Sequence, residues 1–180
     1  MKIVALLRGI NVGGHRKVPM AALCAAVTKA GFKNPRTYIQ SGNLVVDVGK
    51  LKPEQASARL EAVVLDTFHF EVPVIVRTAA QWKQYFARSP FQGSAHTRPH
   101  LVHLGLAKVP CPKTMVANLA RYATRGEKIR VVGDGLWIDF IESVGQSKLT
   151  PAVLDRAAGS PVTLRNWNTI QELHRMLGEE

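Results

Sequence analysis

Acidic residues are scarce in this chain, and two long stretches, Met1 to Val46 and Val72 to Gly126, contain none at all. Across 180 residues there are 13 Asp and Glu against 24 Lys and Arg, which gives a formal net charge of +11. A field of this sign attracts anions such as phosphates, nucleotides and nucleic acids. The same charge also suits an ordinary soluble protein, because net charge governs solubility and association rather than a specific partner.

Cysteine and long apolar runs are also nearly absent. Cys24 and Cys111 are the only cysteines, which excludes a disulfide framework and agrees with a reducing compartment. No apolar run approaches the roughly 20 residues that span a bilayer. The apolar start from Ile3 to Leu7 is too short for the core of a signal peptide. We therefore expect a cytoplasmic protein with no membrane partner, and its 46% hydrophobic content suffices for a real core.

The first half of the chain alternates between strand and helix patterns. The run from Ile3 to Leu7 predicts a buried strand, and "RTYIQ" and "NLVVDV" predict two strands joined by the turn "SGN". Pro19 and Pro53 suit the first turns of two helices, and the β-branched "VPVIV" predicts a fourth strand. The resulting order, βαββαβ, is that of a ferredoxin-like unit.

The same order of elements returns in the second half. Strands are predicted at "HLVHLGL", "KIRVV", "LWIDFI" and "PVTL", with helices that begin near Pro112 and Thr150. In both halves the last strand leads into one more helix. We therefore predict an α+β fold of two tandem ferredoxin-like (βαββαβ) units, each followed by an extra helix. The expected bounds are 1–77 for the first unit, 78–97 for a linking helix and loop, and 98–180 for the second unit with its C-terminal helix.

Topology should gather the polar and glycine-rich loops into two clusters. In a βαββαβ unit, the end of strand one and the turn between strands two and three share one end of the sheet. The loop after strand three and the end of strand four share the other end. The first loop cluster therefore combines "RGINVGG" with "SGN", and the second combines "GQSK" with "RNWN". The candidate ligand-binding residues are Arg8, Asn11, Gly13, Gly14, Ser41 and Asn43 in the first loop cluster, and Ser147, Lys148, Arg165, Asn166, Trp167 and Asn168 in the second.

Six short motifs in these segments carry a family resemblance. "RGINVGG", "KVPM", "YIQSGN", "VPVIVR", "SKLT" and "RNWNT", in this order, resemble the bacterial family catalogued as domain of unknown function 1697. The resemblance runs from near Met1 to near Leu177. It implies two ferredoxin-like units, in agreement with the element order, and it implies no function. Gln146 and Leu164 depart from the family pattern, in which a basic residue and a threonine are common.

The segments of the first loop cluster have structural as well as functional interpretations. "RGINVGG" lies between a strand and a helix, as phosphate-binding loops do, but its spacing fits neither G-x-G-x-x-G nor the P-loop. It is either a loop in which glycine supplies positive φ, or a nest of backbone N–H groups for an anion. Arg8 favours the nest, since its planar guanidinium suits phosphate or carboxylate. "SGN" is most simply a hairpin turn.

The second loop cluster leaves similar alternatives open. Asn166 or Asn168 suits the cap of the last helix, and Trp167 suits either a core anchor or a stacking surface for a base. The Ser147 hydroxyl could act as a nucleophile and the Lys148 amine as a base. Side chains of adjacent residues need not come into contact, so catalysis there is disfavoured. No catalytic residue is predicted.

Metal binding and sheet-face RNA binding are both disfavoured. His96, His100 and His103 have a spacing like that of metal ligands, but Pro99 excludes a helix there, and on a strand His100 and His103 point to opposite faces. Strand three of an RNA-recognition unit carries aromatic residues on its open face, and "NLVVDV" has none. We predict no metal and no cofactor.

Three hypotheses about function follow from the sequence. The first is a protein that binds a phosphorylated or other anionic small molecule in a crevice between the two units, to which both loop clusters contribute. The second is a nucleic-acid-binding protein that uses its diffuse positive charge and Trp167. The third is a small enzyme acting on a nucleotide or phosphoester without a recognised triad or metal. The sequence makes no prediction of an oligomeric state.

Overall fold

The structure, a computed structural model, describes residues 1–178, and both halves of the chain have the predicted order of elements. The first half contains β1 (Lys2–Leu7), α1 (Met20–Lys29), β2 (Lys33–Tyr38), β3 (Asn43–Asp47), α2 (Pro53–Phe68), β4 (Val74–Thr78) and α3 (Ala79–Ala87). The second half contains α4 (Gln92–Thr97), β5 (Val102–Ala107), α5 (Met115–Ala120), β6 (Lys128–Val132), β7 (Gly135–Asp139), α6 (Pro151–Ala158), β8 (Val162–Asn166) and α7 (Trp167–Gly178). The short helix α4 was not predicted, since its sequence "QGSAHT" has no apolar periodicity.

Each half forms a four-stranded antiparallel sheet. The strand orders are β2-β3-β1-β4 and β6-β7-β5-β8, which is the ferredoxin-like order in both cases. The predicted duplication of a βαββαβ unit, with an additional helix after the fourth strand, is thereby confirmed.

The chain divides into two compact units whose bounds fall inside helices. Among the described residues, unit one comprises Met1–Lys83 and residues 172–178, and unit two comprises Gln84–Gln171. Helices α3 and α7 therefore each contribute residues to both units.

The core of unit one lies between its sheet and helices α1 and α2. Alternate residues of β1, namely Ile3, Ala5 and Leu7, pack into this core with Leu23 of α1 and Leu60 of α2. The residues between them on β1 face the other side of the sheet, and they are buried as well. They are Val4 and Leu6. Burial on both faces explains why β1 is a continuous apolar run rather than an alternating one.

Unit two repeats this arrangement around β7. Leu136 and Phe140 pack in a core with Met115 of α5 and Leu154 of α6. Trp137 points to the opposite face of the sheet, and it is 1% exposed. The second sheet is therefore also buried on both faces at its centre.

The expected start of one helix needs correction, and the two cysteines differ in burial. Helix α5 begins at Met115 rather than at Pro112, because the residues before it form a turn closed by the hydrogen bond from Met115 N to Pro112 O at 2.9 Å. Cys111 lies in a loop, is 7% exposed and packs in the core of unit two. Cys24, on α1, is half-buried.

Candidate functional site

The first loop cluster lies at one end of the sheet of unit one. Leu6 pairs with Asn43, and Leu7 N donates a hydrogen bond to Gly42 O at 2.8 Å. The loop after β1 and the turn between β2 and β3 therefore meet, as the topology predicts.

Asn11 holds the loop after β1 in one conformation. Its Nδ2 donates to Val18 O at 3.0 Å and to Gln40 O at 2.8 Å, and its Oδ1 accepts from Val18 N at 2.8 Å. The backbone N of Asn11 also donates to Arg16 O at 3.1 Å. Asn11 has a φ of 54°, a conformation that asparagine adopts more readily than most residues. Its side chain therefore closes the loop between residues 11 and 18 and joins it to the neighbouring turn.

Ser41 and Asn43 have partners within the turn itself. Asn43 is completely buried, and its Nδ2 donates to Tyr38 O at 3.0 Å and to Ser41 Oγ at 2.9 Å. A Cβ on Gly42 would lie 2.8 Å from Leu7 Cβ, so only glycine fits this position. These contacts support the structural interpretation of "SGN" as a hairpin turn.

The segment from Val12 to Lys17, which we call the loop tip, is exposed to solvent throughout. Gly13 and Gly14 have φ values of 58° and 78°, and a Cβ on Gly14 would meet no atom within 4 Å. Glycine is therefore needed there for its backbone conformation and not for close packing. Both glycines keep their backbone accessible.

Three consecutive basic residues follow these glycines. They are not among the candidate ligand-binding residues predicted from the sequence. His15, Arg16 and Lys17 are all exposed. A Cβ on Gly9 would lie 3.7 Å from an Nη1 atom of Arg16, which places that guanidinium over the base of the loop. The signal was present in the sequence as "HRK" directly after "GG". Arg8, which was predicted, is half-buried, and its backbone N donates to Pro73 O at 3.0 Å.

The second loop cluster lies at one end of the sheet of unit two, as predicted. His103, near the start of β5, pairs with Asn166 at the end of β8 and with Ile138 near the end of β7. Phe140 N, in the loop that follows β7, donates to Leu101 O at 3.0 Å. The loop after β7 and the end of β8 therefore share this end.

Arg165 is buried within unit two. Its Nη1 donates to Thr163 Oγ1 at 2.7 Å and to Leu164 O at 2.8 Å. Burial lowers the pKa of Arg165 to about 10, so the guanidinium stays charged at neutral pH. Arg77, at the corresponding point of β4 in unit one, is also buried, and it too donates to the carbonyl before it, Val76 O at 2.9 Å.

The residues after Arg165 begin the last helix. Asn166 Oδ1 accepts a hydrogen bond from Thr169 N at 3.0 Å and so provides the cap that the sequence left open between two asparagines. Trp167 is 6% exposed and stacks on Phe86, with ring centroids 5.4 Å apart and an interplanar angle of 8°. This burial supports a core anchor. Asn168 is exposed.

Ser147 contacts a carboxylate rather than the adjacent lysine. Its Oγ donates to Glu127 Oε1 at 2.5 Å and accepts from Leu149 N at 3.2 Å, whereas Lys148 is exposed. Burial would raise the pKa of Glu127, but hydrogen bonds from Ser147 and from backbone N–H groups outweigh this and lower it. A carboxylate with a lowered pKa is a weak general base, so this contact stabilises the loop and does not activate the serine.

The sheets offer no open platform at their centres, and the described residues hold no metal cluster. The strand faces turned away from the helices contain the buried residues Val4, Leu6, Leu104 and Trp137. Among residues 1–178, no group of three or more His, Cys, Asp or Glu is arranged to hold a metal ion. No helix in this part of the chain is both long and apolar enough to span a membrane.

The fold and the two loop clusters define a class of tandem ferredoxin-like α+β proteins. Within it, the chain belongs to the family described as protein of unknown function (DUF1697), whose model matches residues 1–137. It is similar to the solved structure of the conserved bacterial protein SP0830 from Streptococcus pneumoniae, with a TM-score of 0.75 and 20% identity over 99% of this chain and 98% of that one. At this identity the likeness concerns the fold alone. No curated protein matches the chain.

Proposed function

We propose that this chain binds a phosphorylated or other anionic small molecule, and that the loop tip of unit one is the binding element. The proposal rests on the exposed segment from Gly13 to Lys17, in which two glycines with positive φ precede three basic residues. The hydrogen bond from His15 N to Val12 O closes a turn at Gly13 and Gly14, whose backbone is exposed to an anion, and Arg16 and Lys17 supply positive charge.

The bracing by Asn11 supports this proposal. A loop that is already ordered loses less conformational entropy when it binds a ligand. The three hydrogen bonds of the Asn11 side chain order the base of the loop, while the tip stays exposed to solvent. No acidic residue occurs before Asp47, so the sequence around the loop supplies no competing carboxylate.

The contribution of the second loop cluster stays a prediction. Ser147, Asn166, Trp167 and Arg165 each have hydrogen bonds or ring contacts within unit two. Lys148 and Asn168 are exposed and remain available as ligand contacts.

A thermal-shift screen followed by calorimetry tests the proposal. Inorganic phosphate, nucleoside monophosphates and hexose phosphates would be compared with uncharged nucleosides and hexoses. A ligand that binds the folded state raises the melting temperature by mass action. We expect Lys17→Ala to weaken the best anionic ligand at least fivefold and Arg8→Ala to weaken it by about 1.5–3 kcal/mol, the scale of a charge-assisted hydrogen bond.

Lys50→Ala is the matched control. Lys50 is an exposed lysine of the same unit outside both loop clusters, so its loss removes the same charge. The affinity of the Lys50→Ala protein for the best anionic ligand should stay within twofold of that of the parent protein. Equal weakening of binding by Lys17→Ala and Lys50→Ala would show that the effect comes from net charge alone, and would contradict a site at the loop tip. A screen in which no anion raises the melting temperature would also contradict the proposal.

A further inference from the structure

The outer side of β6, at the edge of the second sheet, is open to a further strand. Strand β6 is the first in the order β6-β7-β5-β8, and among the described residues only β7 pairs with it. Ile129 and Val131 pack against the core of unit two, whereas Lys128 and Arg130 are exposed. An edge strand presents backbone N–H and C=O groups that can pair with another chain. We call the outer side of β6 the open edge.

The turn after β6 determines which backbone groups face the open edge. Val132 pairs with Gly135 across a turn of two residues, 133–134. In such a turn the C=O before it accepts a hydrogen bond from the N–H after it, so the backbone of Val132 bonds to β7. Along an antiparallel ladder, residues that bond to the neighbouring strand alternate with residues that do not. The N–H and C=O groups of Ile129 and Val131 therefore point outward, to the open edge.

The outer strand of the first sheet, β2, is irregular by comparison. Its pairing with β3 shifts between Lys33 and Arg36. Asn34 within this interval has a φ of 52°, and Pro35 has no N–H to donate. Bulges and prolines are devices by which edge strands avoid pairing with other chains. Residues 128–132 of β6, in contrast, contain no proline and pair with β7 in unbroken register.

Two cationic side chains lie along the open edge. Lys128 and Arg130 are two residues apart on β6, so they point to the same face of the sheet. The guanidinium of Arg130 lies 5.9 Å from the centroid of the Phe91 ring, a cation–π contact that restricts its orientation. Both side chains remain exposed to solvent.

The acidic residues closest to β6 in the hairpin are already engaged within unit two. Asp139 is completely buried and accepts a hydrogen bond from Arg98 Nη2 at 3.0 Å. Glu127 is 8% exposed, and Asp134 accepts a hydrogen bond from the Tyr85 hydroxyl at 2.5 Å. The charge that the open edge presents to a partner is therefore positive.

This charge disfavours a second copy of the chain as the additional strand. The antiparallel register that uses the outward groups of both copies pairs Ile129 of one copy with Val131 of the other. It would set the Arg130 side chains of the two copies directly opposite each other, and like charges in this position are destabilising. A strand with acidic residues at alternate positions would instead place a carboxylate opposite each cation.

We propose that the open edge binds an extended acidic segment of a partner protein, which adds a fifth strand to the second sheet. The backbone of the segment pairs with the outward groups of Ile129 and Val131. Two acidic side chains, two residues apart, lie opposite Lys128 and Arg130. Main-chain hydrogen bonds supply affinity in this mode of recognition, and alternate side chains supply specificity. This site is separate from the loop tip, which belongs to unit one.

Hydrogen exchange followed by NMR tests the pairing of the backbone. The probe is a short capped peptide in which valine and glutamate alternate, and the same peptide with glutamine in place of glutamate is the uncharged comparison. We expect the glutamate peptide to slow exchange of the Ile129 and Val131 amide protons at least fivefold, because they become hydrogen-bond donors. The Arg130 amide, which already bonds to β7, should change less. Signals from Gly13 and Gly14 should not respond.

Neutral variants test the contribution of charge. Lys128→Gln and Arg130→Gln should each weaken the glutamate peptide at least threefold and leave the affinity for the glutamine peptide within twofold, as measured by fluorescence anisotropy of labelled peptides. Arg156→Gln is the matched control. It removes an exposed charge from α6, which packs against β8 at the opposite edge of the sheet, and should change the affinity less than twofold.

Four results would each overturn the proposal. They are unchanged exchange at Ile129 and Val131, equal affinity for the two peptides, equal effects of Arg130→Gln and Arg156→Gln, and protection of the same amides by self-association of the protein without peptide. The last result would assign the open edge to a second copy of the chain.

Discussion

At the scale of single residues, burial changes the protonation of His103. The imidazole is 9% exposed, meets the Phe140 ring edge-on at a centroid distance of 5.1 Å, and has no hydrogen-bond partner for Nδ1 among residues 1–178. Burial lowers the pKa of His103 to about 4, and the nearby charges of His100 and Arg165 act in the same direction. A hydrogen bond to the backbone of Leu101 offsets part of this effect. His103 is therefore neutral at physiological pH.

This lowered pKa predicts a dependence of stability on pH. Between about pH 4 and pH 6.5 the unfolded chain binds a proton at His103 that the folded chain does not bind. The contribution of His103 to stability is therefore complete above pH 6.5 and decreases as the pH falls, by about 3 kcal/mol near pH 4. Urea unfolding of the parent protein and of His103→Leu across this range would measure it.

The histidine variants give a direct comparison. In His103→Leu the part of the pH slope that this group causes should vanish. His96→Leu removes an exposed histidine and should leave the slope as in the parent protein. A parent and a His103→Leu protein with parallel pH profiles would show that the folded-state pKa is not lowered.

At the scale of an element, the loop between β1 and α1 depends on Asn11. Asn11→Ala removes three hydrogen bonds from a partly buried side chain and leaves alanine at a φ of 54°. We expect the free energy of unfolding to decrease by about 2–3 kcal/mol, at about 1 kcal/mol per hydrogen bond. Chemical denaturation would measure the loss, and anion affinity at the loop tip should decrease because the loop is less ordered.

Asn168→Ala is the corresponding control in the second loop cluster. Asn168 is exposed, so its replacement should change stability by no more than about 0.5 kcal/mol. A similar small effect for Asn11→Ala would mean that the loop tip is not braced, and would remove the support that bracing gives to the proposed function.

At the scale of the whole molecule, the net charge of +11 bears on the nucleic-acid hypothesis. If the charge serves this purpose, affinity for duplex DNA should fall with salt, with a log–log slope of about −0.9 per phosphate contact. Fluorescence anisotropy with single- and double-stranded oligonucleotides at two salt concentrations would measure the slope. Absence of binding at low salt would reject nucleic acid as a partner and leave the small-anion proposal intact.

Much of the fold could be predicted from the sequence because its signals are local. The apolar run from Ile3 to Leu7 determines β1 through the burial of its side chains. Pro53, Pro151 and Gly159 determine where helices begin or end through their backbone conformation. Handedness and strand pairing then decide which loops meet at which end of a sheet. The two loop clusters were predicted correctly at this level.

Other features depend on contacts between residues far apart in the chain, and only the tertiary structure decided them. The sequence does not show that the side-chain amides of Asn11 and Asn43 donate hydrogen bonds within the protein. It also does not show that Arg165 is buried or that Trp167 stacks on Phe86. It gives no sign that the pairing of β2 with β3 shifts between Lys33 and Arg36. A polar residue looks the same in a sequence whether its partner is a backbone group or a ligand, because hydrogen bonding depends on position in space.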